Sequence, residues 1–153
     1  IDKLKAMIPE KPEYEVVMVG NKSQRRDYIV DELKKLGVNV VFVTGWGDVR
    51  DKEIAKGRVL LNIHYNPQVG FIVYEELRCT RWMFTGMKII SEESLDEEDL
   101  MISGVDFYPY EQLVAKTYEY LQNSTYVPNE IELKKCAEER KKKLDFFIEK
   151  LDL

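Results

Sequence analysis

The segment Gly20-Asn21-Lys22-Ser23-Gln24-Arg25-Arg26 follows directly on the apolar run Val16-Val17-Met18-Val19. Unpaired N–H groups at a helix start attract anions, and Lys22, Arg25 and Arg26 add positive charge. A phosphate or diphosphate would suit this place; a capped helix with a solvated basic first turn is the plainer reading. The Gly-x4-Gly-Lys-Ser/Thr spacing of a P-loop is missing, and no Gly-x-Gly-x-x-Gly follows a strand. The only histidine, His64, stands in His64-Tyr65-Asn66-Pro67 after Leu60-Leu61-Asn62-Ile63. Its imidazole can bond a phosphate or sugar hydroxyl, shuttle a proton, or satisfy a backbone carbonyl.

Glu75 and Arg78 lie three apart on a predicted helix, which makes a local ion pair the simplest account. In a binding role, the carboxylate would accept both hydroxyls of a ribose while Arg78 orients it or meets a phosphate. Glu76 competes for the same role. Ser91 and Glu92 end another apolar run and either bond a ligand or begin an acidic loop. Trp46, between Gly45 and Gly47, can stack on a base or sugar face, or fold over the sheet edge. No Ser/His/Asp triad, paired catalytic carboxylates or Cys-x-x-Cys spacing stands out. These residues speak for binding more than for bond-making.

The elements that would position them alternate along the chain. Short apolar runs at 15–20, 39–44, 59–63, 87–90 and 105–107 read as buried strands. Helices are predicted at 23–36, with Ile29, Leu33 and Leu36 inward; at 49–56, capped by Asp48; and at 71–84, with Val73, Leu77, Thr80 and Phe84 inward. A further helix starts with Pro109 in its first position and turns Leu113, Val114, Thr117 and Leu121 inward. This alternation predicts an α/β fold, a Rossmann-like doubly wound parallel sheet of about five strands. The favoured order 2-1-3-4-5 sets a ligand crevice between strands 1 and 3, where Asn21-Lys22-Ser23 faces His64-Tyr65. The expected organisation is a lead-in over 1–14, the sheet domain over 15–123, and a long C-terminal helix over 124–153.

The 153-residue chain carries a net charge of −5. That argues against a nucleic-acid partner, since non-specific binding rests on cationic surface. No apolar run approaches the roughly 20 residues that span a bilayer, and the polar start Ile1-Asp2-Lys3 does not read as a signal peptide. The absence of a starting Met reads as a fragment or an excised domain. Cys79 and Cys136 lie far apart, without metal-ligand spacing, and read as free thiols in a reducing, cytoplasmic setting.

An ordered set of motifs resembles a known family. Val19-Gly20 with Arg25-Arg26, Val43-Thr44-Gly45, Leu61 to Tyr65, Tyr74-Glu75-Glu76-Leu77-Arg78, Ser91-Glu92 and Tyr110-Glu111-Gln112-Leu113 occur in turn. Together they look like the C-terminal, nucleotide-sugar-binding half of a GT-B glycosyltransferase, in the spore-maturation-like branch found in bacteria and large DNA viruses. The resemblance covers about residues 15–122. It implies a domain that holds a nucleotide-diphosphate sugar as donor substrate, with no tightly bound cofactor and no metal. Glu75 would be the ribose ligand; Gly20, Asn21, Lys22, Ser23, Arg25, His64 and Tyr65 would lie near the diphosphate and sugar, with Arg78 and Ser91 beside them. It also implies an acceptor-binding domain or partner, without which the domain is inactive. The alternatives are a non-catalytic partner-docking module on the same scaffold and a small enzyme acting on nucleosides or nucleotides.

Overall fold

The structure, a computed structural model, describes residues 2–67, 72, 75–95, 105–124, 138, 141 and 142. In chain order the elements are α1 (Asp2–Lys5), β1 (Tyr14–Val19), α2 (Gln24–Lys35), β2 (Val40–Val43), α3 (Gly47–Ala55), β3 (Gly57–Asn62), α4 (Glu76–Met83), β4 (Lys88–Glu92) and β5 (Val105–Tyr108). A 3-10 turn (Tyr110–Gln112) then leads into α5 (Leu113–Asn123). The five strands form one sheet in the order β2-β1-β3-β4-β5, and every pairing is parallel. This is the Rossmann-like class and strand order that the alternation of elements predicts.

Register explains why the strands read as continuous apolar runs. Val41, Val17, Leu60, Ile89 and Val105 form one row across the sheet. That row packs with Leu4, Ile54, Ala55, Cys79, Trp82 and Met83 from α1, α3 and α4. The alternate residues Val16, Met18, Val59, Leu61 and Ile90 meet Ile29, Val30, Leu33, Leu113 and Leu121 from α2 and α5 on the other face. Both faces of the central strands are therefore dry, the usual condition of a parallel sheet.

Close packing makes Gly57 a sensitive position. A Cβ there would stand 2.2 Å from Cγ2 of Val17 and 3.3 Å from the Ile54 carbonyl oxygen. Val17 is fully buried and has nowhere to move. Gly57→Ala is expected to cost about 2 kcal/mol in urea unfolding, the order found for over-packed cores. An unchanged midpoint would refute that assignment of strain.

Several local expectations are corrected. The helix predicted at 71–84 begins at Glu76, because Ile72 and Glu75 are not helical. Its buried side is carried by Cys79, Thr80, Trp82 and Met83, with Phe84 only partly buried; Val73 and the side chain of Leu77 lie outside the described residues. Leu36 is the residue after α2 and is 47% exposed rather than inward. Gly37, with φ of +81°, ends the turn there as expected. Asp48 does not cap α3; it sits in the first turn, pairing with Lys3 at 2.8 Å. Pro109 precedes a 3-10 turn rather than opening the α-helix. Trp46 does not fold over the sheet edge but is 87% exposed. The long helix expected over 124–153 falls almost wholly outside the described residues. Among the described residues no helix is long and apolar enough to cross a membrane.

Candidate functional site at the carboxyl end of the sheet

The strand order places the switch point between β1 and β3, the position at which open parallel sheets commonly hold a ligand crevice. Gly20 ends β1 with φ of +130°, a backbone region open essentially to glycine. A Cβ at Gly20 would lie 2.9 Å from an Nη1 of both Arg26 and Arg78. The missing side chain is thus the space two guanidiniums occupy.

Arg26 comes from α2, on the same helical face as Ile29, Val30 and Leu33, and is 2% exposed. Its Nε and Nη2 donate to the Ile63 carbonyl at 2.8 and 2.5 Å, and its Nη1 donates to the Asn21 carbonyl at 2.9 Å. Arg26 therefore ties the ends of β1 and β3 to the first turn of α2. Arg78, on α4, donates from Nη1 to the Val19 carbonyl at 2.6 Å. Glu75, at the start of α4, pairs with Arg78 and lies 3.4 Å from Nη2 of Arg26. Burial lowers the pKa of both arginines, and the neighbouring Arg26 and Arg50 charges lower that of Arg78 further. Arginine starts so far above neutrality that both remain charged.

Around this core the remaining positions take distinct roles. Ser23 caps α2, its hydroxyl accepting from the Arg26 N–H at 3.4 Å. Asn21 and Lys22 are exposed, and the Lys22 Nζ stands 5.9 Å from the Phe42 ring centroid. Tyr65 is 56% exposed, its ring 5.6 Å from the Arg26 guanidinium. The first two N–H groups of α2 lack intrahelical partners by helix geometry and open on the same edge.

A second cluster lies one strand further along. Arg25 pairs with both oxygens of Glu92 at 2.6 and 3.1 Å and donates to the His64 carbonyl at 3.1 Å. Its guanidinium packs 4.0 Å from the Tyr110 ring centroid, and the Tyr110 hydroxyl donates to the Arg25 carbonyl at 2.9 Å. Glu92 also accepts the His64 backbone N–H at 3.0 Å. The buried His64 ring is held through Nε2 by the Glu93 carbonyl at 2.8 Å. A carbonyl only accepts, so Nε2 carries the proton and donates. Ser91 is fully buried, accepts from Nδ2 of Asn62 at 3.1 Å and donates to the Glu92 carbonyl.

The structure thus brings Gly20, Glu75 and Arg78 together, with Asn21, Lys22, Ser23 and Tyr65 around them. Arg25, His64 and Ser91 instead belong to hydrogen-bonded frameworks on the β3–β4 side. Arg26, Glu92 and Tyr110 organise the two clusters, and Arg26 is legible in the sequence because it shares the helical phase of Ile29 and Leu33. Glu92 carries no such signal: it stands beside Glu93 at the start of a mainly acidic stretch, and its ion pair is with Arg25, 67 positions away. Among the described residues no group of His, Cys, Asp and Glu side chains could hold a metal ion.

No family model matches the chain, and no solved structure matches it. It is similar to curated proteins of Acanthamoeba polyphaga mimivirus. Uncharacterized protein L137 is 41% identical over 128 residues, which cover 80% of this chain and 17% of that protein. Uncharacterized protein L138 is 42% identical over 117 residues, 73% of this chain and 13% of that protein. Uncharacterized protein L140 is 39% identical over 134 residues, 84% of this chain and 43% of that protein. The chain therefore spans less than half the length of the curated relatives it matches.

Proposed function

We propose that this chain is the donor-binding half of a glycosyltransferase and holds a nucleotide-diphosphate sugar at the β1–β3 switch point. The observation that carries the reading is Glu75 set beside Arg26 and Arg78, with Gly20 leaving room for both guanidiniums. A carboxylate at a helix start suits the two hydroxyls of a ribose. Arg78, whose side chain is 19% exposed, and Lys22 suit the diphosphate, with the open N–H groups of α2. Arg26 is a positioning residue, since its N–H groups already serve the strand ends. The exposed face of Trp46, at the end of β2 and above the Arg50 guanidinium, offers a surface for the base. Transfer itself would require an acceptor-binding domain elsewhere in a longer protein, working in a reducing compartment such as the cytoplasm.

Titration with UDP, GDP and their sugars tests this. Binding should quench Trp46 fluorescence and shift the amides of 20–26. Glu75→Ala should weaken it about tenfold or more, the scale of losing charge-assisted hydrogen bonds. Absence of binding at millimolar nucleotide, with Glu75→Ala unchanged from the parent, would refute the reading. The exposed pair Trp46 and Val49 favours a second reading, a partner-docking module without catalysis. That reading predicts no nucleotide-dependent change in Trp46 fluorescence.

A further inference from the structure

A pocket of about 380 Å³ opens at the carboxyl ends of β4 and β5, beside the Arg25–Glu92 pair. It is lined by Arg25, Ile72, Glu92 to Leu95 and Pro109 to Glu111. Its volume falls at the small end of the range for ligand pockets.

The walls differ from those of the crevice in charge. Arg25 is the one cation among the lining residues, and it is already neutralised by the two-point pair with Glu92 and covered by the Tyr110 ring. Glu93 and Glu111 add two carboxylates that no described side chain pairs with. The local field therefore repels phosphate and attracts a cation. Ile72, Leu95 and Pro109 supply apolar wall, suited to the C–H face of a ring. The Ser94 hydroxyl and the carboxylates supply hydrogen-bonding groups for hydroxyls.

The frame around the pocket is built. Glu92 and Ser94 are buried, and the His64 ring and backbone fasten the start of the loop after β4. Leu95 N–H donates to the Ile72 carbonyl at 2.9 Å, which stitches that loop to the segment leading into Glu75.

We propose that this pocket is a second binding site, for a small hydroxylated ring that carries a protonated amine, such as an amino sugar. It is independent of nucleotide, because none of its lining side chains is one assigned to the nucleotide and the Arg25 charge is held by Glu92. The amine sits between Glu93 and Glu111, with the ring on Ile72, Leu95 and Pro109.

The test is an amide-shift titration of the full chain with glucosamine, glucose and N-acetylglucosamine at about pH 6, where the amine is protonated. Glucosamine should shift the amides of 92–95 and 110–112 and bind more tightly than either neutral sugar. Glu93→Gln and Glu111→Gln should each weaken glucosamine about two- to fivefold, as expected for charge pairs to exposed carboxylates. Both variants should bind UDP as the parent does if the crevice is a nucleotide site, so failure of one site is distinct from failure of the other. Equal binding of glucose and glucosamine, or no shift in 92–95 and 110–112, overturns the proposal. So does glucosamine affinity that survives in the double Gln variant.

Discussion

Arg26→Ala is expected to remove about 3–5 kcal/mol of folding stability, the scale for breaking a buried charge-assisted network. The side chain is 2% exposed and serves the Ile63 and Asn21 carbonyls together, with Glu75 nearby. Truncation strands the buried Ile63 carbonyl and frees the more open Asn21 carbonyl, and a stranded buried group costs about 1–3 kcal/mol. Glu75 also loses one of its two cationic neighbours. Arg26→Lys should recover little, because an ammonium cannot span both carbonyls as a planar fork does. Urea unfolding followed by circular dichroism measures the loss. A cost below about 1 kcal/mol for Arg26→Ala would mean that water replaces the guanidinium and that the crevice floor is wet.

Gly20→Ala should damage both stability and nucleotide binding. The backbone at φ of +130° strains any L side chain, and the new methyl would crowd an Nη1 of Arg26 and of Arg78. Strained backbone of this kind costs about 1–3 kcal/mol. Displacement of the guanidiniums adds to it, for a total of about 3 kcal/mol. Gly37→Ala provides the comparison. Gly37 also has positive φ, +81°, but nothing stands within 4 Å of its would-be Cβ. It should cost about 1 kcal/mol, the backbone part alone. The difference between the two variants combines the harsher backbone at Gly20 with the crowding at its would-be Cβ. UDP affinity should fall about tenfold in Gly20→Ala, a loss of about 1.4 kcal/mol in binding, and stay unchanged in Gly37→Ala. Equal effects of the two substitutions would show that the guanidiniums give way freely and that Gly20 serves only the turn.

The strands and their order were legible because both faces of a parallel sheet are dry. Val16 to Val19, Val59 to Leu61 and Ile89 to Ile90 are apolar at every position, so the pattern needs no knowledge of partners. The helix leading from Glu75 was harder. Tyr74, Glu75 and Glu76 are equally compatible with a helical turn, so local sequence does not mark where it starts. The two readings of Trp46 are separated only by tertiary structure: large aromatic residues usually find cover, and the loop between Gly45 and Gly47 leaves this one exposed.

Local sequence was enough for the α/β class, the strand order, the switch-point location and the polar types gathered there, because those follow from periodicity, chain handedness and short connections. The division of labour among the arginines was decided by tertiary structure. Arg25 and Arg26 are adjacent in the chain and identical in type, yet one pairs with Glu92 under Tyr110 while the other locks the ends of β1 and β3. One residue of helix turns a side chain by about 100°, which sends the two guanidiniums to different partners across the sheet. His64 likewise became part of the frame, because its ring meets the Glu93 carbonyl rather than the crevice. Partners that lie far apart in sequence are chosen by the fold, and burial then sets how strongly each charge is held.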